Sequence, residues 1–235
     1  MGLISDELYQ SLKSSCGDEY QNVDPNNEMC LRYLADFEKC VSGISEAHIL
    51  EPRCPSSLPK PKELIFGRLR SLHETSQSSI TSEPSLPPIA CRSYKSTLAT
   101  YWANDDMVRR ALGIRQGSKG KWERCLETPY TYDIESSFPF HVELSTKGYP
   151  ALVYSGDHDF IVPFCGTQAW IRSLNYSIVD EWRPWLVQTQ IAGYTRMYSN
   201  KMTFATVKGA GHIALYQKPK ECLAMFERWI SQKPL

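Results

Sequence analysis

Two short stretches toward the C-terminal end constrain this chain more than anything else in it. The first is Tyr149-Pro150-Ala151-Leu152-Val153-Tyr154-Ser155-Gly156-Asp157-His158-Asp159, and the second is Phe204-Ala205-Thr206-Val207-Lys208-Gly209-Ala210-Gly211-His212. Each begins as an apolar run of strand length and strand composition. Each then gives way to small residues, and after them to acids or to a histidine. Small residues past a strand let the backbone turn sharply and leave room beside the side chain that follows. A carboxylate and an imidazole delivered from two strand ends can work as a unit, the acid holding the tautomer and orientation of the base.

This is how an α/β-hydrolase places the last two members of its triad, with the acid after one strand and the histidine after the next. His212 is the candidate base. Gly156-Asp157-His158-Asp159 offers two candidate acids. The acid of such a fold commonly lies a few residues past the strand end, as Gly-x-x-Asp with a proline behind it. Asp159, followed by Pro163, fits that spacing. Asp157 lies closer to the strand, where it can cap the turn, and it stays open as the alternative. His158 is expected to be structural or solvent-facing. The third member would be a serine in Gly-x-Ser-x-Gly, on a strained turn between strand and helix. No serine of this sequence has that setting: Ser155 precedes Gly156, but Val153 stands in the place of the first glycine. The expected nucleophile is therefore none. A glycine-rich loop for an oxyanion hole and the parallel strands of a sheet centre are also not found.

Charge excludes little else. Lys and Arg number 26, as do Asp and Glu, so there is no electrostatic case for nucleic acid or an anionic membrane as partner. No apolar run is long enough to span a bilayer. Residues Met1 to Glu7 have no basic region before an apolar one and do not form a signal peptide. The eight cysteines point elsewhere. None forms Cys-x-x-Cys or stands at metal-ligand spacing with a histidine, so zinc is not expected. Their scatter through polar loops suits a disulfide framework in an oxidising compartment. Asn175-Tyr176-Ser177 is a glycosylation sequon of the same compartment. Secretory chemistry without a secretory signal predicts that the natural N-terminus is missing.

In chain order, Ser5 can cap a helix over 5–15, with Leu8 and Leu12 on one face, and a second helix is predicted over about 27–41. Residues 1–50 thus read as a helical cap or insertion. Residues 51–90 are rich in proline and serine and read as a linker or excursion. Residues 91–235 read as the C-terminal part of the main domain. There Asn104 is expected to cap a helix that ends at Gly113 and turns Val108, Ala111 and Leu112 to the core. Further helices are expected over 136–145 and 167–174. Strand 150–155 comes between them. Trp182-Arg183-Pro184-Trp185 reads as a rigid aromatic loop, and 190–198 with 202–208 as a β-hairpin. Pro219 opens a last helix whose buried stripe is Cys222, Leu223, Phe226, Trp229 and Ile230. The fold class is α/β. It is read as an incomplete α/β-hydrolase fold, made of C-terminal strands and helices with the helical cap and lacking the N-terminal core strands. Such a sheet would expose an apolar edge, which predicts poor solubility.

These stretches resemble plant serine carboxypeptidase-like proteins. The likeness is carried by Ser155 to Asp159 with Pro163, Thr167 to Ser177, Gly193-Tyr194-Thr195-Arg196, Thr203 to His212 and Lys218-Pro219-Lys220-Glu221-Cys222. It extends upstream through Tyr101-Trp102-Ala103-Asn104-Asp105 to Gly2-Leu3-Ile4-Ser5-Asp6, and is greatest for the branch of acyltransferases that use glucose esters. The resemblance implies a Ser-Asp-His triad acting through an acyl-serine, with Asp159 as acid and His212 as base. It implies no cofactor, and passage through the secretory pathway to the vacuole or the cell exterior. The substrate would be a peptide C-terminus, or a glucose ester with an alcohol as acceptor. It also implies disulfides between Cys16 and Cys30 and between Cys54 and Cys91, with the partner of Cys125 outside this chain. The family usually carries Thr-Ala-Pro-Glu-Tyr-Lys-Pro after the histidine, where this sequence has Ile213-Ala214-Leu215-Tyr216-Gln217-Lys218-Pro219. The sequence begins about where the family is halfway through. Two functions follow as expectations: the hydrolase or acyltransferase of the family, or a non-catalytic truncated isoform or gene fragment that at most binds a partner such as a full-length relative.

Overall fold

The computed structural model describes residues 2–51, 93–118, 120–124, 129–131 and 133–235. By their contacts, residues 1–51 and 134–235 form one unit and residues 52–133 a second.

The first unit opens with α1 (Asp6–Cys16). Ser5 caps it by accepting from the Leu8 N–H at 3.3 Å, and Gly17 ends it in the left-handed region at φ 59°. Asp6 and Glu7 lie at the positive end of its dipole. In α2 (Glu28–Val41) the cap is Asn27, whose Oδ1 accepts from the Cys30 N–H at 3.1 Å. A disulfide joins Cys16 at the end of α1 to Cys30 near the start of α2. Leu12, Cys16 and Cys30 are buried there, with Leu8, Leu34 and Phe37 packed around them. In the chain-entropy picture, closing a loop of this size stabilises by about 3 kcal/mol. The second predicted pair, Cys54 and Cys91, lies outside the described residues, as does Cys125.

In the second unit α3 (Ser93–Asn104) is followed by α4 (Asp106–Ala111). The cap of α4 is Asp105 rather than the predicted Asn104. Asp105 Oδ1 accepts from the N–H groups of Met107 and Val108 at 2.9 and 3.0 Å. Asn104 instead closes α3 and clasps the backbone of Trp122 through both ends of its amide, at 2.7 and 2.8 Å. Ala111 and Leu112 are exposed, against expectation. A helix of six residues is too short to bury a stripe.

The sheet belongs to the first unit. α5 (Phe138–Thr146) leads into β1 (Ala151–Gly156), α6 (Phe164–Ser173), β2 (Ile178–Val187), β3 (Gln190–Tyr198) and β4 (Met202–Val207). The strand order is β1-β4-β3-β2. β1 and β4 are parallel, paired one to one from Ala151 with Met202 to Gly156 with Val207. The β3–β4 and β2–β3 pairs are antiparallel. β4 is buried at all six positions, as a strand covered on both faces must be. Period-two alternation sends its side chains to opposite layers. Met202 and Phe204 pack with Ile171 of α6. Ala205 and Val207 pack with Cys222 and Met225 of α8 (Pro219–Ile230), beside Trp185 and Ala192. The architecture is α/β, as predicted, with one mixed sheet between helices.

Two further expectations need correction. Trp182-Arg183-Pro184-Trp185 is not a loop but the middle of β2. Proline is tolerated because its partner in the register is Tyr194. Tyr194 turns both its N–H and its C=O toward Thr206 Oγ1 on β4, so this pair forms no ladder bond and the Pro184 nitrogen faces outward. The buried stripe of α8 is also narrower than predicted. Cys222 and Met225 are buried and Trp229 is half-buried, whereas Leu223, Phe226 and Ile230 are exposed. The helix meets the sheet along a single seam.

Candidate active site

β1 and β4 run parallel, so their C-terminal ends emerge side by side. The loops after them are tied together by backbone. The Asp157 N–H donates to the Val207 carbonyl at 3.2 Å, and the His158 N–H to that of Ala210 at 2.8 Å. Gly156 is required by this closeness, because a Cβ there would run into the carbonyl oxygens of Ala210 and Gly211.

The two acids take different parts. Asp157 Oδ1 accepts from the Gly209 N–H at 2.7 Å, which fastens the second loop to the first. Asp159 is buried, 4% exposed. Its Oδ1 accepts from the N–H groups of Ile161 and Val162 at 2.9 and 3.1 Å. Its Oδ2 lies 3.1 Å from His212 Nδ1. An ionised carboxylate only accepts, so this bond places a proton on Nδ1 and leaves Nε2 of the neutral ring as a base. The imidazole side chain is 40% exposed, so this base is reachable.

Ser155 is buried, and its hydroxyl turns inward toward the carbonyl oxygens of Gly156 and Val162. His158 is half-buried, with its ring 5.0 Å from that of His48. Gly211 donates its N–H to Gln217 Oε1, which ties the end of α7 (Ala214–Gln217) back to the loop of the histidine. Ile213 and Leu215, the apolar departures in this loop, are exposed. Asn175 is exposed just past α6, at φ 57°.

The structure also brings in a segment that no sequence signal marked. Residues Glu46 to Ile49, which follow α2, lie against both loops. The Phe160 N–H donates to the Glu46 carbonyl at 2.9 Å, and the His212 N–H to that of Ala47 at 2.8 Å. The Ile49 N–H donates to the His158 carbonyl at 3.1 Å. Its glycine-free, aperiodic sequence carries nothing that would have disclosed this place.

Comparison with known proteins decides the family. The sequence model of the serine carboxypeptidase family matches residues 1–232. The chain belongs to the serine carboxypeptidase family. Serine carboxypeptidase-like 1 of Arabidopsis thaliana is 50% identical over 100% of this chain and 46% of its own length. Serine carboxypeptidase-like 19 of the same plant is 50% identical over 100% of this chain and 50% of its own. Serine carboxypeptidase-like 17 is 51% identical over 99% and 46%. The chain thus spans about half the length of the curated relatives it matches. Among solved structures, Kex1(delta)p, a prohormone-processing carboxypeptidase from Saccharomyces cerevisiae, is similar over 97% of this chain and 52% of its own, at 16% identity and a TM-score of 0.48. No helix among the described residues is long and apolar enough to cross a membrane.

Proposed function

We propose that this chain carries the acid and the base of a serine carboxypeptidase-like site, Asp159 and His212, for acyl transfer through an acyl-serine. The observation that supports the reading is the 3.1 Å contact between His212 Nδ1 and the buried Asp159 Oδ2. Asp157 has the capping part, because its carboxylate is engaged by the Gly209 N–H.

In this mechanism His212 Nε2 takes the proton of a serine hydroxyl while that oxygen attacks the carbonyl carbon of the substrate. The imidazolium, steadied by Asp159, returns the proton to the departing amine or alcohol. A second nucleophile then resolves the acyl-serine. With water the outcome is removal of a C-terminal amino acid from a peptide. With an alcohol it is acyl transfer from a donor such as a glucose ester. The sequence contains no Gly-x-Ser-x-Gly, so on this reading the serine comes from outside these 235 residues. Alone they form no acyl-enzyme and are the non-catalytic fragment of the second expectation. The setting is the secretory pathway, with Asn175 glycosylated.

A fusion tests this. The half of an Arabidopsis relative that precedes the matched region is joined ahead of Met1 and exposed to a fluorophosphonate serine probe. The fusion is expected to label stoichiometrically and the 235-residue chain not at all. Asp159→Asn should slow labelling of the fusion by about 10⁴-fold, and His212→Ala by at least as much. Asp157→Asn should cost less than about tenfold, a loss of the order of one hydrogen bond. Labelling of the unfused chain, or of the His212→Ala fusion at an unchanged rate, would sink the proposal.

A further inference from the structure

The segment Glu46–Ile49 makes more contact with the two catalytic loops than chain passage requires. Its backbone gives one hydrogen bond to the acid loop as donor, at Ile49, and accepts one from it, at Glu46. Between these, the Ala47 carbonyl accepts from the N–H of His212 itself. The approach is close enough that a Cβ on Gly211 would overlap the Ala47 carbonyl oxygen. His48 fastens the segment from its side chain. It is buried, 8% exposed, and its Nδ1 accepts from the Leu50 N–H at 3.3 Å. That leaves Nε2 to carry the ring proton and to donate to the Gly209 carbonyl at 3.4 Å.

We propose that Glu46–Ile49, with His48, is a positioning clamp that holds the loop of His212 against the loop of Asp159 and so sets the tautomer of the base. The proposal rests on the acid–base reading of Asp159 and His212. The physical case is one of register. The Asp159–His212 bond is a single contact with one partner 40% exposed, and alone it competes with water. Holding an imidazole to within a few tenths of an ångström requires surrounding bonds that fix its backbone. The two loops already meet through Asp157 and His158. The clamp adds the bond to the His212 N–H, which none of those supplies. Glu46–Ile49 are positioning residues, since nothing in their placement brings them to reacting atoms.

Long-range ¹H–¹⁵N correlation spectra of the imidazole rings in the 235-residue chain test this, because the ring C–H protons report the tautomer without exchanging. In the wild type His212 is expected as the Nδ1–H form. The double variant His48→Ala/Ile49→Pro removes the ring bond and the Ile49 donor without touching the two loops. It should move His212 to a majority of the Nε2–H form that free histidine favours, with amide protection lost at His212. Hydrogen exchange at Met202–Val207, unchanged from wild type, shows that the sheet has stayed folded, and His48→Ala alone, expected to give a smaller shift in the same direction, serves if the double variant unfolds. An unchanged His212 tautomer in a folded variant overturns the clamp and leaves the acid–base pair standing. A wild-type His212 in the Nε2–H form overturns the pair itself, and the clamp with it.

Discussion

The two edges of the sheet are built on different plans. β2 forms one edge, and everything about it discourages a neighbour. Its register with β3 shifts at three places. Pro184 turns its nitrogen, which has no hydrogen to donate, toward the open side. Arg183 is locked to Asp180 at 2.6 Å and donates to the Leu235 carbonyl at 2.7 Å, laying charge and chain along the rim. β1, at the other edge, has none of this. It pairs with β4 without a break, and Ala-Leu-Val-Tyr-Ser-Gly contains neither charge nor proline. The N–H groups of Ala151 and, just past the strand, Asp157 point to β4, so by alternation those of Leu152 and Tyr154 point away. Among the described residues no strand meets them. An edge of this kind is an interior strand by composition, and the candidate acid hangs from its end.

The largest expected effect is on association. The chain should self-associate in sedimentation velocity at micromolar concentration, and Tyr154→Lys on β1 should weaken this by about tenfold or more, since a lysine is how natural edges repel a second strand. Val179→Lys on β2 should do nothing. Equal effects from both would erase the difference between the edges. Next comes Pro184→Val. It restores an outward donor, so it should add association at the protected edge while changing stability by less than about 1 kcal/mol, because no ladder bond is involved. Unfolding by urea, read beside sedimentation, separates the two quantities. The smallest effect concerns thiols. Cys165, exposed at the start of α6 after the β1 loop, should react with iodoacetamide at pH 8 within minutes. Cys222 is on the face of α8 that packs on the sheet, where burial pushes its thiol up to about 11, and it should stay unmodified in the folded chain by peptide mapping. Alkylation of Cys222 as fast as Cys165 would show that α8 does not cover that face.

What the sequence disclosed follows the range over which each signal acts. The Ser5 cap and the three- and four-residue apolar spacing act within about four residues, and they placed α1 and α2 within about a residue. The strand patterns of 190–198 and 202–208 placed the β3–β4 hairpin, and small residues after two apolar runs picked out Asp157, Asp159 and His212, of which the fold sets Asp159 against His212. Local chemistry misled where a tertiary partner decides. Two tryptophans around Arg183-Pro184 look like a loop until β3 is seen to leave the Pro184 nitrogen outward. Asn104 looks like a cap, but Asp105 does that work and Asn104 answers to Trp122. Leu223, Phe226 and Ile230 share a helical face that the sheet does not reach. Glu46–Ile49 could not be read at all, because its partners stand in other parts of the chain.

That separation has a kinetic consequence. The contact from His48 to Gly209 closes a span of 161 residues, whereas Asp159 and His212 are 53 apart. Contacts between distant residues pay their loop-closure entropy before they return anything, and they form late. In refolding, the β3–β4 hairpin and the disulfide-linked helices should therefore appear first. The imidazole would find its carboxylate next and would be held in one tautomer only in the last phase, when the N-terminal segment closes over it.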